Sequence, residues 1–144
     1  MPRPALLIAA LTLLTTPALA GSNEWIFPAN PDGTIDFIMP SGNVGCRFIP
    51  AGGTAVYHTA TGQEELHCIR LEPTTTVVIL QPVNGGHQPI ASTEVPELPM
   101  ASVLPYGAFW QAGAFVCVAA RSGLVCVNGT GAGLRMSRAA VDVW

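Results

Sequence analysis

The chain has 144 residues and a net charge of −3, from six arginines against nine carboxylates with no lysine, and only 10% of its residues are charged. So few cations exclude the basic stripe that a phosphate backbone or an anionic membrane surface requires, so nucleic acid is not an expected partner. Fifteen glycines and thirteen prolines in so apolar a chain suit short strands joined by turns and disfavour long surface helices.

The chain opens with the pattern of an export signal. Arg3 supplies a positive start, Ala5 to Leu14 are apolar, and Ala18-Leu19-Ala20 is a small-x-small cleavage pattern. Residues 1–20 are therefore expected to be a signal peptide, with residues 21–144 forming a single disulfide-bonded β domain. The apolar stretch is too short for a bilayer core of about 30 Å, so no membrane span is expected, and Gly21 is not a lipid-accepting cysteine. The expected location is periplasmic or secreted.

After the leader, Glu24 to Phe27 reads as a short strand closed by Pro28 and the Asn30-Pro31-Asp32-Gly33 turn. Ile35 to Met39 and Val44 to Ile49 flank the turn Pro40-Ser41-Gly42-Asn43 and predict a hairpin. Val56 to His58 is a further candidate strand. Glu65 to Leu71 alternates, placing Leu66, Cys68 and Arg70 on one face and Glu65, His67 and Ile69 on the other, so that Cys68 points inward and His67 meets solvent. Thr74 to Gln81 is rich in β-branched residues and reads as a buried central strand. Five prolines between Pro82 and Pro105 predict an extended surface excursion with at most edge strands. Phe109-Trp110, a cysteine-bearing hairpin and the segment Leu134 to Met136 follow, and Ser137 to Val141 could form one terminal helical turn.

All four cysteines, Cys46, Cys68, Cys117 and Cys126, fall in the exported part. An even count in an oxidising compartment reads as two disulfides with three possible connectivities, of which Cys46 with Cys68 and Cys117 with Cys126 is preferred. The second bridge has a local warrant. If Ala120-Arg121-Ser122-Gly123 is the loop, Ala119 faces Leu124, Val118 faces Val125 and Cys117 faces Cys126, within bridging range for a non-hydrogen-bonded pair. A one-residue change would bring Cys117 opposite Val127. No C-x-x-C spacing occurs, so no metal site is expected.

Chemistry-bearing patterns are sparse. The chain has no G-x-S-x-G motif, and Ser41 lies in a turn rather than on a nucleophile elbow. His58, His67 and His87 are scattered, and Glu65-x-His67 is explained by polar alternation on a strand. Glu64 and Glu65 point to opposite strand faces and cannot converge as a catalytic pair. Arg135 and Arg138 could hold an anion on a partner, or satisfy Asp142 or the chain terminus. Asn128-Gly129-Thr130 reads as a turn, and the residues before Trp144 lack the outward apolar pattern of a membrane barrel. No cofactor and no catalytic residue is expected.

Phe37-Ile38-Met39-Pro40-Ser41-Gly42-Asn43-Val44-Gly45-Cys46, Leu104-Pro105-Tyr106-Gly107, the Cys117 to Cys126 hairpin and Ser137-Arg138 occur in that order. Over residues 37–138 the chain resembles a group of small exported bacterial proteins classed as a domain of unknown function. The resemblance implies an envelope-associated or secreted, cysteine-bridged protein and implies no activity. Where that group often reads Gly-His-Gly-Phe, this chain has Gly131-Ala132-Gly133-Leu134, so no histidine role carries over. Asn43 and Tyr106 in these motifs, with Arg135 and Arg138, are the candidate binding residues. The expected fold is all-β, a small antiparallel sandwich or partly closed barrel of seven to nine strands with two disulfides. The expected function is an exported module that binds an envelope component or another protein. The alternative is a small inhibitor of an extracellular hydrolase that docks through the proline-rich excursion.

Overall fold

Apolar side chains recur at every second position over short runs, and turns bearing Gly, Pro or Asn interrupt them, so the chain builds strands. The computed structural model describes residues 23–83, 90–91 and 102–144. One sheet is the meander β1 (Ile35–Ile38), β2 (Val44–Ile49), β3 (Glu65–Arg70), β4 (Thr76–Leu80) and β5 (Ile90–Ala91). The other is the meander β6 (Phe109–Ala112), β7 (Phe115–Ala120), β8 (Gly123–Val127), β9 (Gly133–Met136) and β10 (Val141–Val143). Both are antiparallel, and they stack as a sandwich that is not closed into a barrel.

The two sheets place equivalent rows of side chains against each other. In the first, Phe37, Cys46, Cys68 and Val78 lie directly opposite one another across β1 to β4. In the second, Trp110, Cys117, Cys126 and Leu134 do the same across β6 to β9. All eight residues are buried. Each row is bridged at its centre by a disulfide, Cys46–Cys68 and Cys117–Cys126, each with Cα atoms 4.1 Å apart. Phe37 meets Trp110 across the interface with ring centroids 5.0 Å apart, and Phe48 packs edge-on against Trp110 and Phe115. Each bridged pair stands directly opposite in its own sheet, Cys46 against Cys68 and Cys117 against Cys126.

The outer face of the first sheet carries a polar network rather than open solvent. Asp36 is buried and receives two hydrogen bonds from Arg47, Nε to Oδ1 at 2.6 Å and Nη2 to Oδ2 at 2.8 Å, and a third from Asn30. The Arg47 guanidinium lies over the Tyr57 ring and bonds its hydroxyl. That bond to Asp36 raises the Arg47 pKa further. Asp32 accepts the Thr34 hydroxyl and backbone N–H, which hold its carboxyl below the usual range. Glu65 is 2% exposed, accepts the Ala60 N–H at 2.6 Å and pairs with His67 at 2.7 Å. The segment from Pro50 to Glu64 is therefore laid against this face, which corrects the solvent-facing reading of Glu65, while His67, expected to meet solvent, keeps partial exposure. Alternation assigns a residue to a face without saying what covers that face, and here Ile69 is buried and His67 only partly exposed. Cys68 points inward as expected.

Other expectations shift for local reasons. Glu24 to Phe27 is not a strand: Glu24 makes a single parallel bridge to Phe109, Trp25 donates to Phe109 O, and Phe27 then turns into the core. Val56 to His58 is a loop, with Val56 exposed and Tyr57 drawn to Arg47. The strand expected over 74–81 spans Thr76–Leu80 and stands next to the sheet edge rather than at its centre, which β3 occupies. The Cys117–Cys126 register is the one expected, but Ala120 also pairs with Gly123, so the loop closes on Arg121-Ser122 alone. The expected helical turn over 137–141 is a hairpin turn closed by Ser137 N–H to Ala140 O at 2.9 Å. The chain then adds β10, and the described residues form ten strands where about seven to nine were expected. Of the proline-rich excursion, β5 pairs at the edge of β4 and Leu104 anchors on Ile38 O; residues 84–89 and 92–101 lie outside the described residues.

Candidate functional site

At one end of the sandwich the β1–β2 turn, the segment before β6, the β7–β8 turn and the β9–β10 turn meet around a cleft of about 140 Å³. Met39, Val44 and Met136 form its nearly buried apolar floor. Ser41, Asn43, Tyr106, Arg121, Ser137 and Arg138 line its walls. Asn43, Tyr106 and Arg138, candidates from three distant motifs, thus come together here.

Each wall is set by its own backbone. The β1–β2 turn closes through Gly42 N–H to Met39 O at 2.9 Å, and Gly42 adopts φ 71°, a left-handed conformation that favours glycine. The buried Asn43 amide donates to Glu72 O at 3.0 Å and accepts from Glu72 N–H at 2.8 Å. Its side chain is therefore spent on clamping the β3–β4 connection, so Asn43 shapes the cleft rather than reaching into it. Tyr106 is presented by a turn in which Gly107 N–H donates to Ala119 O at 2.9 Å. Gly123 has φ 137°, and a Cβ there would stand 2.6 Å from Met136 O, so the β8–β9 contact at the cleft edge tolerates no side chain.

The electrostatics of this end are one-sided. Arg121 sits over the Tyr106 ring, its guanidinium carbon 5.1 Å from the centroid, and makes no salt bridge among the described residues. Arg138 pairs with Glu72 at 2.7 Å, both largely exposed. Among the described residues, Glu72 lines the recess beside the cleft and Glu24 lines the recess on the other side of Tyr106. Behind Ser137, Arg70 donates to Ser137 O at 3.3 Å and to Thr76 Oγ1 at 3.1 Å, while its Nε is buried with no hydrogen-bond partner. Three of the chain's six arginines thus stand around this end of a protein whose net charge is −3.

Arg135 is not part of the cleft. It lies on the outer face of β9 and pairs with Asp142 at 3.1 Å, both half-exposed. Arg121 was not singled out by sequence, and its one signal was a cation in the tight turn of the disulfide hairpin. Of the other patterns, Glu64 reaches the β6–β7 turn and accepts Ala114 N–H at 2.7 Å, away from Glu65. The buried Asn128 organises the β8–β9 turn and donates to Gln81 O on the facing sheet at 2.9 Å. The sulfur atoms of Cys46, Cys117 and Cys126 cluster within 4.8 Å, but all belong to disulfides and present no thiolate to a metal. Comparison of the chain with protein-family models, with curated proteins and with solved structures finds no match.

Proposed function

We propose that this protein is an exported binding module, periplasmic or secreted after loss of residues 1–20, whose ligand face is the cleft at the Tyr106 end of the sandwich. The observation that carries this reading is the convergence of the 40–43 turn, Tyr106, Arg121 and Ser137-Arg138 on one cleft with excess positive charge. Cysteines paired in both sheets favour an oxidising compartment. The cleft offers oriented cations and a small apolar floor, the usual ingredients of a recognition site, with its hydroxyl and amide groups largely engaged in turns.

The test is retention of an envelope component on immobilised, oxidised protein, compared with the double variant Arg121→Gln/Arg138→Gln. A component held by the wild type, released by salt and not held by the variant supports the reading. Equal retention by both proteins removes the cleft as the ligand face. Mass spectrometry of the exported protein should give a chain beginning at Gly21 that is four hydrogens lighter than its reduced form. A retained Met1 or alkylatable thiols would remove the export reading.

A further inference from the structure

Within that reading, we propose that the cleft captures the C-terminal carboxylate of an extended peptide whose last residue is small and aliphatic. Three features of the cleft select this chemistry.

The first is the state of Arg121. A guanidinium over an aromatic ring gains a cation–π attraction that leaves its charge unneutralised, and a carboxylate matches its fork of N–H donors in a bidentate manner. Arg121 rests over Tyr106 with no carboxylate partner among the described residues, while Arg138 on the same wall is paired with Glu72. The ligand is therefore anionic.

The second is the floor. Met39, Val44 and Met136 carry thioether and branched aliphatic surface, and the Asn43 amide is already consumed by Glu72. A sugar acid would leave hydroxyl groups against this floor without partners, at a desolvation cost. A short aliphatic side chain matches this apolar floor and the space of about 140 Å³ above it.

The third is what lies beyond. Tyr106 also borders a neighbouring recess of about 280 Å³ lined by Asn23, Glu24, Trp25 and Pro105, with Trp25 45% exposed and the Glu24 carboxylate accepting from the Gln111 amide. A chain leaving the cleft past Tyr106 enters this recess, which gives the preceding residues a surface to follow. A free short-chain acid shares the terminal chemistry but would leave that recess unused.

The experiment titrates isotope-labelled, oxidised exported protein with N-acetyl-Ala-Ala-Val as the free acid, the same peptide as its C-terminal amide, and isovalerate. The free acid should shift the resonances of Tyr106, Arg121 and Gly123, and bind at least ten-fold more tightly than the amide. Arg121→Gln, a substitution in an exposed turn, should weaken the free acid at least ten-fold with an unchanged melting temperature, and Arg121→Lys should fall between. Equal binding of acid and amide, or full binding by Arg121→Gln, overturns the proposal, and isovalerate binding as tightly as the peptide overturns the peptide as its source. Retention of an envelope component through Arg121 and Arg138 together with no binding of the free acid would defeat this inference and leave the binding-module reading standing.

Discussion

The sulfur of Cys46 lies within 4.8 Å of the sulfur of Cys117, so the two disulfides are near neighbours at the centre of the sandwich although each is confined to its own sheet. The bridges thereby act both as covalent staples and as core packing between Phe37–Trp110 on one side and Val78–Leu134 on the other. In the loop-entropy account, closing about ten residues contributes roughly 2.7 kcal/mol and closing about twenty-three roughly 3.4 kcal/mol. Against a domain stability of about 5–15 kcal/mol, either is a large fraction.

Replacing Cys117 and Cys126 by alanine should therefore lower the melting temperature by about 10 °C or more. The Cys46→Ala/Cys68→Ala pair should cost more, because its loop is longer. Because the bridges are near neighbours in one core, removing both should depart from the sum of the two by at least about 0.5 kcal/mol. Calorimetry of the oxidised proteins reads all three values, and an unchanged transition in either double variant would show that the bridges are not structural.

Asn43 separates a structural from a recognition role at the cleft. Its amide meets the N–H and C=O of Glu72 and is itself 8% exposed, so Asn43→Ala strands two backbone groups. The expected loss is about 1–3 kcal/mol in urea unfolding, with Asn43→Asp in between because it keeps only the acceptor. Stability within about 0.5 kcal/mol of wild type would argue that the clamp is dispensable.

What could be read from the sequence was whatever a period of two and a short turn determine. The Cys117–Cys126 pairing followed from β-prone runs on either side of a four-residue segment ending in Gly123, since only one register puts the sulfurs face to face. The place of β4 next to the sheet edge could not be read, because β-branched content reports burial rather than order in a sheet. Glu65 was misplaced because its cover, the segment from Pro50 to Glu64, is held by Arg47–Tyr57 and Ala60–Glu65 contacts between residues with no pattern in common. The site divides in the same way. Asn43, Tyr106 and Arg138 belong to local motifs, whereas the place of Arg121 depends on the pairing of β6 with β7, which brings the Tyr106 segment beside the hairpin turn.

Arg47 ties that covering segment to the sheet. Arg47→Gln leaves the Asp36 carboxylate, 7% exposed, without its cation and releases Tyr57. Breaking a pair of this kind should cost about 3 kcal/mol, at the low end for buried pairs because Arg47 keeps some solvent contact. Hydrogen exchange should accelerate selectively between residues 51 and 64. Exchange that rises evenly across both sheets would instead mean that Arg47 supports the whole fold.

Acid should act through Asp32. Its carboxyl is held below the usual value, first by the Thr34 hydroxyl and then by the Thr34 N–H, so the unfolded chain takes up this proton more readily than the folded one. The stabilisation is present above the ordinary carboxylate pKa and disappears as the pH falls through the lowered folded value. Asp32→Asn keeps an acceptor for Thr34 but cannot titrate. The difference in urea midpoint between wild type and Asp32→Asn should therefore be flat from about pH 8 to pH 5 and shrink below about pH 4. A difference that widens toward acid would mean that Asp32 is strained by its neighbours rather than held by Thr34.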